Sequence, residues 1–176
     1  LQREARTDAS GAARLSFDTT IEPTAQPRRY SIEATVTGDD DIQVRNVINV
    51  IATPPFALGL KLPRYMPKPG AVEAAAIAVD GKGEALAGLD VTARFIRRNW
   101  VSVLQASDFS QGSAKYVTQV IDDTLVEKKV TSAKEALALA FEAREAGVYV
   151  VQLEANDRIG RRQQVSVDFF VGGETP

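Results

Sequence analysis

Side chains that could do chemistry are restricted in this chain, because two residue types are missing altogether. There is no histidine and no cysteine among the 176 residues. Ser-His-Asp and Cys-His catalysis are therefore excluded within the chain, as are the usual thiolate and imidazole ligands of zinc. Paired carboxylates can perform glycoside hydrolysis, but nothing in the spacing singles out two of the 23 acidic residues. We expect no catalytic residue, no cofactor and no metal ligand.

Adjacent carboxylates occur twice, at residues 39–41 and at 122–123. Either run could help to hold calcium, which is bound by several oxygen ligands. The repeated acidic motifs of calcium-bridged domains are missing, however. Asp next to Gly is also typical of tight turns, and Gly38 precedes the first run. We therefore interpret both runs as solvated turns between strands.

Aromatic and basic side chains could form a binding surface. Trp100 and Tyr116 could stack on sugars or on a partner, but one tryptophan and four tyrosines are few for a sugar platform. We expect both to pack in the core or at a seam between domains. Arginines cluster near the C terminus, and two more could lie close to them: Arg158, Arg161 and Arg162, with Arg97 and Arg98. A strand edge protected by charges is the favoured interpretation, with a partner-docking face as the alternative.

The elements that position these side chains are predicted to be β-strands. Tyr149, Val151, Leu153 and Ala155 fall on one face at period two, and a turn at 156–160 leads into a return strand. Residues 44–52 are almost continuously apolar, which predicts a strand that is covered on both faces. The complete set of predicted strands is 13–21, 30–37, 44–52, 56–62, 72–79, 89–97, 115–121, 125–130, 137–144, 148–155 and 163–171.

One segment carries two patterns. Residues 132–144 have high helix propensity, and Ser132 with Glu135 matches a capping box. Leu137, Leu139 and Phe141 also alternate at period two, and the next strand begins three residues after Arg144. We predict a strand here, with a helix over 133–144 as the alternative.

Pro54 and Pro55 divide the chain, since two prolines remove backbone donors and stiffen the path. Residues 1–53 are predicted to be the C-terminal part of one antiparallel β-sandwich domain, and residues 54–176 a complete second one. The class is thus all-β, with fibronectin- or immunoglobulin-like architecture in tandem. The first unit would leave an unpaired sheet edge. No apolar run is long enough to span a membrane, and we expect the chain to be a segment of a longer protein.

The order of several short motifs resembles the macroglobulin-like domains of the bacterial alpha-2-macroglobulin family. The motifs are Pro69-Gly70, Asp80-Gly81, Phe95-Ile96-Arg97-Arg98-x-Trp100, Gly147-x-Tyr149, Asp157-x-x-Gly160 and the tail at 167–173. The resemblance implies a large multi-domain protease inhibitor: a protease cuts a bait segment, and the molecule then collapses around it. A thioester in that family needs a Cys-x-Glu-Gln motif, which this chain lacks.

On this basis we expect a non-catalytic scaffold segment of a broad-spectrum protease inhibitor in the bacterial periplasm, whose parent could be anchored to the inner membrane. Its partners would be neighbouring macroglobulin-like domains and, through the parent, target proteases. The net charge of −2 argues against a nucleic-acid partner. Residues 106–113 could be bait-like, but an ordinary surface loop is the favoured interpretation. The alternative function is an adhesin-like or carbohydrate-binding β-sandwich module of a secreted or cell-surface protein, and an accessory module of a secreted enzyme is a third possibility.

Overall fold

The computed structural model describes residues 2–17, 26–105 and 115–173, and every regular element within them is a β-strand. The predicted all-β class is confirmed. The strands are β1 (Arg28–Thr37), β2 (Gln43–Ala52), β3 (Phe56–Lys61), β4 (Tyr65–Met66), β5 (Gly70–Asp80), β6 (Asp90–Gln105), β7 (Lys115–Thr131), β8 (Leu137–Ala143), β9 (Gly147–Asn156) and β10 (Arg162–Val171). The described residues contain no helix that could cross a membrane.

The first two strands form a hairpin of their own. β1 and β2 pair antiparallel along their whole length, and among the described residues neither pairs with another strand. Tyr30 and Ile32 are half-buried, whereas Ala34, Val36 and every residue of β2 are exposed. The prediction that β2 is covered on both faces is wrong for this chain, because the described residues place no second sheet against the hairpin. The division of the chain at residues 53 and 54 stays a prediction.

The remaining strands form two facing sheets. One has five strands in the order β4-β10-β9-β6-β7, and the other has three in the order β3-β5-β8. Neighbouring strands are antiparallel except for the short parallel pair of β4 and β10. On one side of the sandwich the sheets end in β7 and β8. The sandwich is therefore built mainly from antiparallel strands, as expected.

The core lies between the two sheets and is filled by alternate residues of β5, β6, β8, β9 and β10. At its centre four aromatic rings follow one another across both sheets: Phe95, Phe141, Tyr149 and Phe169. Successive ring centroids are 4.8, 5.8 and 5.3 Å apart. The hydroxyl of Tyr149 donates to the backbone carbonyl O of Glu145 at 2.8 Å. Phe141 of β8 thus joins the two sheets through its contacts with Phe95 of β6 and Tyr149 of β9.

One turn motif, Asp-x-x-Gly, recurs three times, beginning at Asp8, Asp80 and Asp157. In each, the carboxylate accepts backbone N–H groups from two and four residues further on, and the glycine has a positive φ of 78°, 87° or 81°. A residue with a Cβ is disfavoured at such a φ. The sequence therefore specifies these turns locally.

Two predictions about strands, one near the N terminus and one in the second half of the chain, need correction. Residues 13–17 form no strand, and 18–21 lie outside the described residues. The strands predicted at 115–121 and 125–130 are one continuous strand, β7, whose register against β6 shifts between Phe95 and Ile96. Asp122 and Asp123 lie inside that strand, so the turn predicted for them is wrong.

In the ambiguous segment at 132–144, residues 137–143 form strand β8 and no residue is helical. The helix alternative and its capping box are therefore wrong. Ser132 is buried; its Oγ donates to the carbonyl O of Leu86 at 2.6 Å and accepts from the N–H of Leu89 at 3.0 Å. The hydroxyl thus ties a distant loop to the sheet instead of starting a helix. The two-residue strand β4 was not predicted, because so short a strand has no alternation to detect.

Candidate functional site

The first acidic run lies in the turn of the β1–β2 hairpin, as predicted. Asp41 has a φ of 60°, and Oδ1 of Asp40 accepts the N–H of Ile42 at 3.2 Å. Among the described residues, no three acidic side chains come together in a way that could hold a metal ion. These carboxylates therefore serve the turn.

The second acidic run is paired across the sheet with the basic segment of β6. Both Nε and Nη2 of Arg98 donate to the Asp122 carboxylate, at 2.8 and 2.7 Å. Next to this pair, the side-chain amide of Asn99 donates to Asp123 at 3.3 Å. The hydrogen bonds from Arg98 lower the pKa of Asp122, because they stabilise its ionised form.

Beyond this ion pair the sandwich extends into a two-stranded projection. The pairing of β6 with β9 ends where Arg98 lies opposite Val148. The pairing of β6 with β7 continues through residues 99–105 and 115–121, which we call the arm. Seven further residues in extended conformation reach about 23 Å. In the described part of the chain, β9 and the facing sheet do not follow the arm.

The two aromatic residues expected in the core or at a seam lie on this arm. Trp100 is 52% exposed and Tyr116 is 69% exposed, so neither is in the core. Sequence alternation could not reveal this, because the exposure follows from where β9 ends and not from the residues of β6. The prediction of an ordinary surface loop at 106–113, with a bait-like segment as the alternative, falls outside the described residues.

The C-terminal arginines do not form one patch with Arg97 and Arg98. Arg158 and Arg161 lie in the β9–β10 turn and Arg162 begins β10, at the opposite end of β9 from Val148. The eight residue-to-residue steps from Val148 to Asn156 separate the ends by about 26 Å. The two groups are therefore distinct surfaces.

Most of these arginines have a carboxylate partner. Nε of Arg161 lies 2.8 Å from Asp157, and Arg162 lies 3.7 Å from Glu154. Arg97 pairs with Glu145. The charges are thus balanced locally, and the described residues present no continuous basic surface at either end of the sandwich.

A groove opens between the edge strands β7 and β8. It encloses about 450 Å³ and is lined by apolar side chains, among them Val126, Phe141 and Tyr149, and by charged residues of both signs: Arg97, Lys128, Glu142, Arg144 and Glu145. Nζ of Lys128 lies 5.7 Å from the centre of the Phe95 ring and donates to the carbonyl O of Ala140 at 2.6 Å. The lysine therefore caps an outward carbonyl of β8 and closes the sandwich at its open side. Such a lysine is a known protection of an edge strand.

The described residues thus provide surfaces and ion pairs but no cluster of reactive side chains. A flat or projecting surface of this kind can bind another protein. Lys128 bridges this groove, whereas the exposed apolar side chains of the arm are open to contact with another protein. The candidate feature that sequence reasoning missed is this arm. The one pattern that could have indicated it is the lack of charged residues in 99–105 and 116–121.

Comparison with solved structures places this fold. A crystal structure of Salmonella alpha-2-macroglobulin reacted with methylamine matches 96% of this chain with a TM-score of 0.57 and 16% sequence identity. The native conformation of the E. coli protein, solved by cryo-EM, matches 94% with a TM-score of 0.58 and 15% identity. This chain has the fold of a segment of bacterial alpha-2-macroglobulin. The resemblance predicted from the sequence motifs is confirmed at the level of the fold.

A third match supports the same assignment of fold. The Y1175G mutant of Salmonella alpha-2-macroglobulin matches 85% of the chain with a TM-score of 0.53 and 16% identity. The chain spans between 10% and 12% of the length of these alpha-2-macroglobulin structures. No family model and no curated protein matches the sequence.

Proposed function

We propose that this chain is a non-catalytic scaffold segment of a bacterial alpha-2-macroglobulin-like, broad-spectrum protease inhibitor, which traps proteases after bait cleavage. The observation that carries the proposal is the extent of the fold match, which covers 96% and 94% of this chain and so includes both the hairpin and the sandwich. Single sandwich domains recur in many unrelated proteins. A fold match over 96% of a chain that contains both a hairpin and a sandwich is a more specific likeness.

In this role the segment holds part of the cage wall and carries movement between domains. Only three residues, Thr53, Pro54 and Pro55, connect β2 to β3, and proline fixes its own φ. A short, stiff connection transmits a change of angle from one unit to the next better than a flexible linker would. Neighbouring macroglobulin-like domains are the direct partners, and target proteases are met through the parent chain.

Absence of catalysis and a periplasmic location belong to the same proposal. A wall segment needs rigid surfaces, and the ionic contacts of the described residues are consistent with that role: Arg94 bridges Glu127 and Glu154 at 2.7 and 3.0 Å. No cofactor is required for holding a cage. The parent would work in the periplasm, free or anchored to the inner membrane, where it would meet foreign proteases.

The proposal is tested by the size of the parent before and after cleavage. We expect limited proteolysis to decrease its hydrodynamic radius and the protease to co-elute with it in size-exclusion chromatography. A parent that is cleaved without compaction and elutes free of protease would contradict the trap. The control is the same protease inactivated at its active site, which should leave the radius unchanged.

The exposed aromatic residues favour a second candidate, a carbohydrate-binding or adhesin-like module. Besides Trp100, the rings of Tyr65 and Phe170 lie 6.0 Å apart and nearly parallel, and both are exposed. Aromatic faces of this kind can stack on sugar rings. Binding of the 176-residue chain to a glycan array, lost in Trp100→Ala or Phe170→Ala, would support this alternative. Absence of any glycan binding would remove it.

A further inference from the structure

Both faces of the arm carry apolar side chains beside polar ones such as Asn99, Ser102 and Thr118. Because pairs of opposite residues share a face, Trp100, Leu104, Tyr116 and Val120 lie on one side. Val101, Val103 and Ile121 lie on the other. All seven side chains are at least 36% exposed. A strand that is covered on one face alternates between apolar and polar residues, whereas apolar residues on both faces are typical of a strand that is buried on both.

The arm also lacks the protection that the rest of β7 carries. The one charged residue of the arm is Lys115, at its tip; residues 99–105 and 116–121 contain no charge, no proline and no glycine. At its base, by contrast, β7 carries Asp122 and Asp123, and further along come Glu127, Lys128 and Lys129. Since β7 is the outer strand of its sheet, its outward backbone groups on the arm are open to pairing. Exposed, uncharged edge strands of this composition associate with other strands.

We propose that the arm is a docking element, and that a neighbouring β-sandwich domain of the same longer polypeptide covers the apolar side chains on its two faces. This inference rests on one part of the proposed function, namely that the chain is a segment of a multi-domain parent. A surface with a single lysine does not suit a lipid headgroup or a nucleic acid, both of which attract clusters of basic residues. It suits an apolar protein surface that can also supply a strand to the edge of β7.

The length of the matching proteins decides between a covalently linked domain and a second copy. The fold match occupies only 11% to 12% of two solved chains, so a parent of that kind would place many other domains around this segment. A tethered domain meets the arm at an effective concentration of about millimolar. A second molecule would have to compete against that concentration, and the tethered domain is therefore the favoured occupant.

Hydrogen exchange tests this docking directly, with the full-length parent and the 176-residue chain measured side by side. We expect the amides of residues 116–121 to exchange at least about tenfold more slowly in the parent, because the partner domain covers and pairs with them. The difference should be independent of protein concentration. Equal exchange in the two molecules would overturn the proposal, and slowing that appears only as concentration rises would assign the arm to a second copy instead.

Two matched variants identify the surface. Val120→Lys places a charge on the arm and should remove the slowing of amide exchange in the parent. The control Gln164→Lys, at an exposed position of β10, should retain that slowing. A Val120→Lys parent that keeps the slowing would refute burial of the arm. Slowed exchange in a parent that traps no protease would keep this inference and remove the proposed function. A parent that traps proteases but leaves the amides of the arm unprotected would support the proposed function and overturn this inference.

Discussion

The guanidinium of Arg98 forms two hydrogen bonds, of 2.8 and 2.7 Å, with the carboxylate of Asp122 at the last position where β6 still pairs with β9. This bidentate pair marks the base of the arm. Residues of β6 that precede Arg98 lie between β7 and β9, whereas those that follow it pair with β7 alone. The pair joins the two strands of the arm where lateral support ends.

Removing both partners of this pair should reveal a modest coupling. Because the two side chains are 35% and 38% exposed, we expect a double-mutant cycle of Arg98→Ala and Asp122→Ala to give about 0.5–1 kcal/mol in urea unfolding. The control cycle, Arg45→Ala with Glu33→Ala, removes a more exposed pair in the β1–β2 hairpin. Its coupling should be smaller. A larger coupling in the control would contradict the structural role of the Arg98 pair.

The β9–β10 turn should make stability depend on acid pH. Burial opposes ionisation of Asp157, but hydrogen bonds from Arg161 and from the N–H groups of Arg161 and Ile159 outweigh it and lower its pKa. A carboxylate with a lowered folded-state pKa stabilises the fold above its unfolded pKa of about 3.9, and this stability is lost as pH falls through the folded value.

Asp157→Ala should therefore destabilise the chain at pH 7 by about 1–3 kcal/mol. The difference from wild type should shrink as the pH falls below the unfolded-state value. Urea unfolding between pH 7 and pH 2.5 measures both effects. Asp80→Ala, in the same type of turn but without an arginine partner, is the control and should show a smaller loss. A constant difference at all pH values would refute the assignment.

The aromatic residues of β10 should differ sharply although they are neighbours. Phe169 lies in the core against Tyr149, whereas Phe170 is 48% exposed. We expect Phe169→Ala to reduce the free energy of unfolding by about 3–5 kcal/mol, because it leaves a cavity. Phe170→Ala should lower it by no more than about 1.5 kcal/mol, through the lost contact with Tyr65. Similar losses for both would mean that the register of β10 is wrong.

The buried hydroxyl of Ser132 should also contribute to stability. Ser132→Ala would leave the N–H of Leu89 and the carbonyl O of Leu86 without this partner, at a cost of about 1–3 kcal/mol. Thermal or urea unfolding measures the loss. Ser166→Ala, at an exposed position of β10, is the control and should change stability by less than about 0.5 kcal/mol. If Ser132→Ala were equally neutral, the loop would be held by other contacts.

The sequence predicted those strands and turns that neighbouring residues specify by themselves. The β9–β10 hairpin was predicted because Tyr149 and its alternating neighbours define one face and the Asp157 turn ends the strand. The same reasoning failed where distant residues decide. Asp122 resembled a turn residue, but its partner Arg98 lies 24 residues away. The exposure of Trp100 is likewise set by the point at which β9 stops pairing with β6.

Caging is the most direct test of the central claim that this chain forms part of a protease trap. The intact parent is incubated with trypsin, and cleavage of a large protein substrate and of a small peptide substrate is measured in parallel. The account predicts loss of the first activity with retention of the second, because a caged protease still admits small molecules. Unchanged cleavage of both substrates by trypsin and by several unrelated proteases would contradict it.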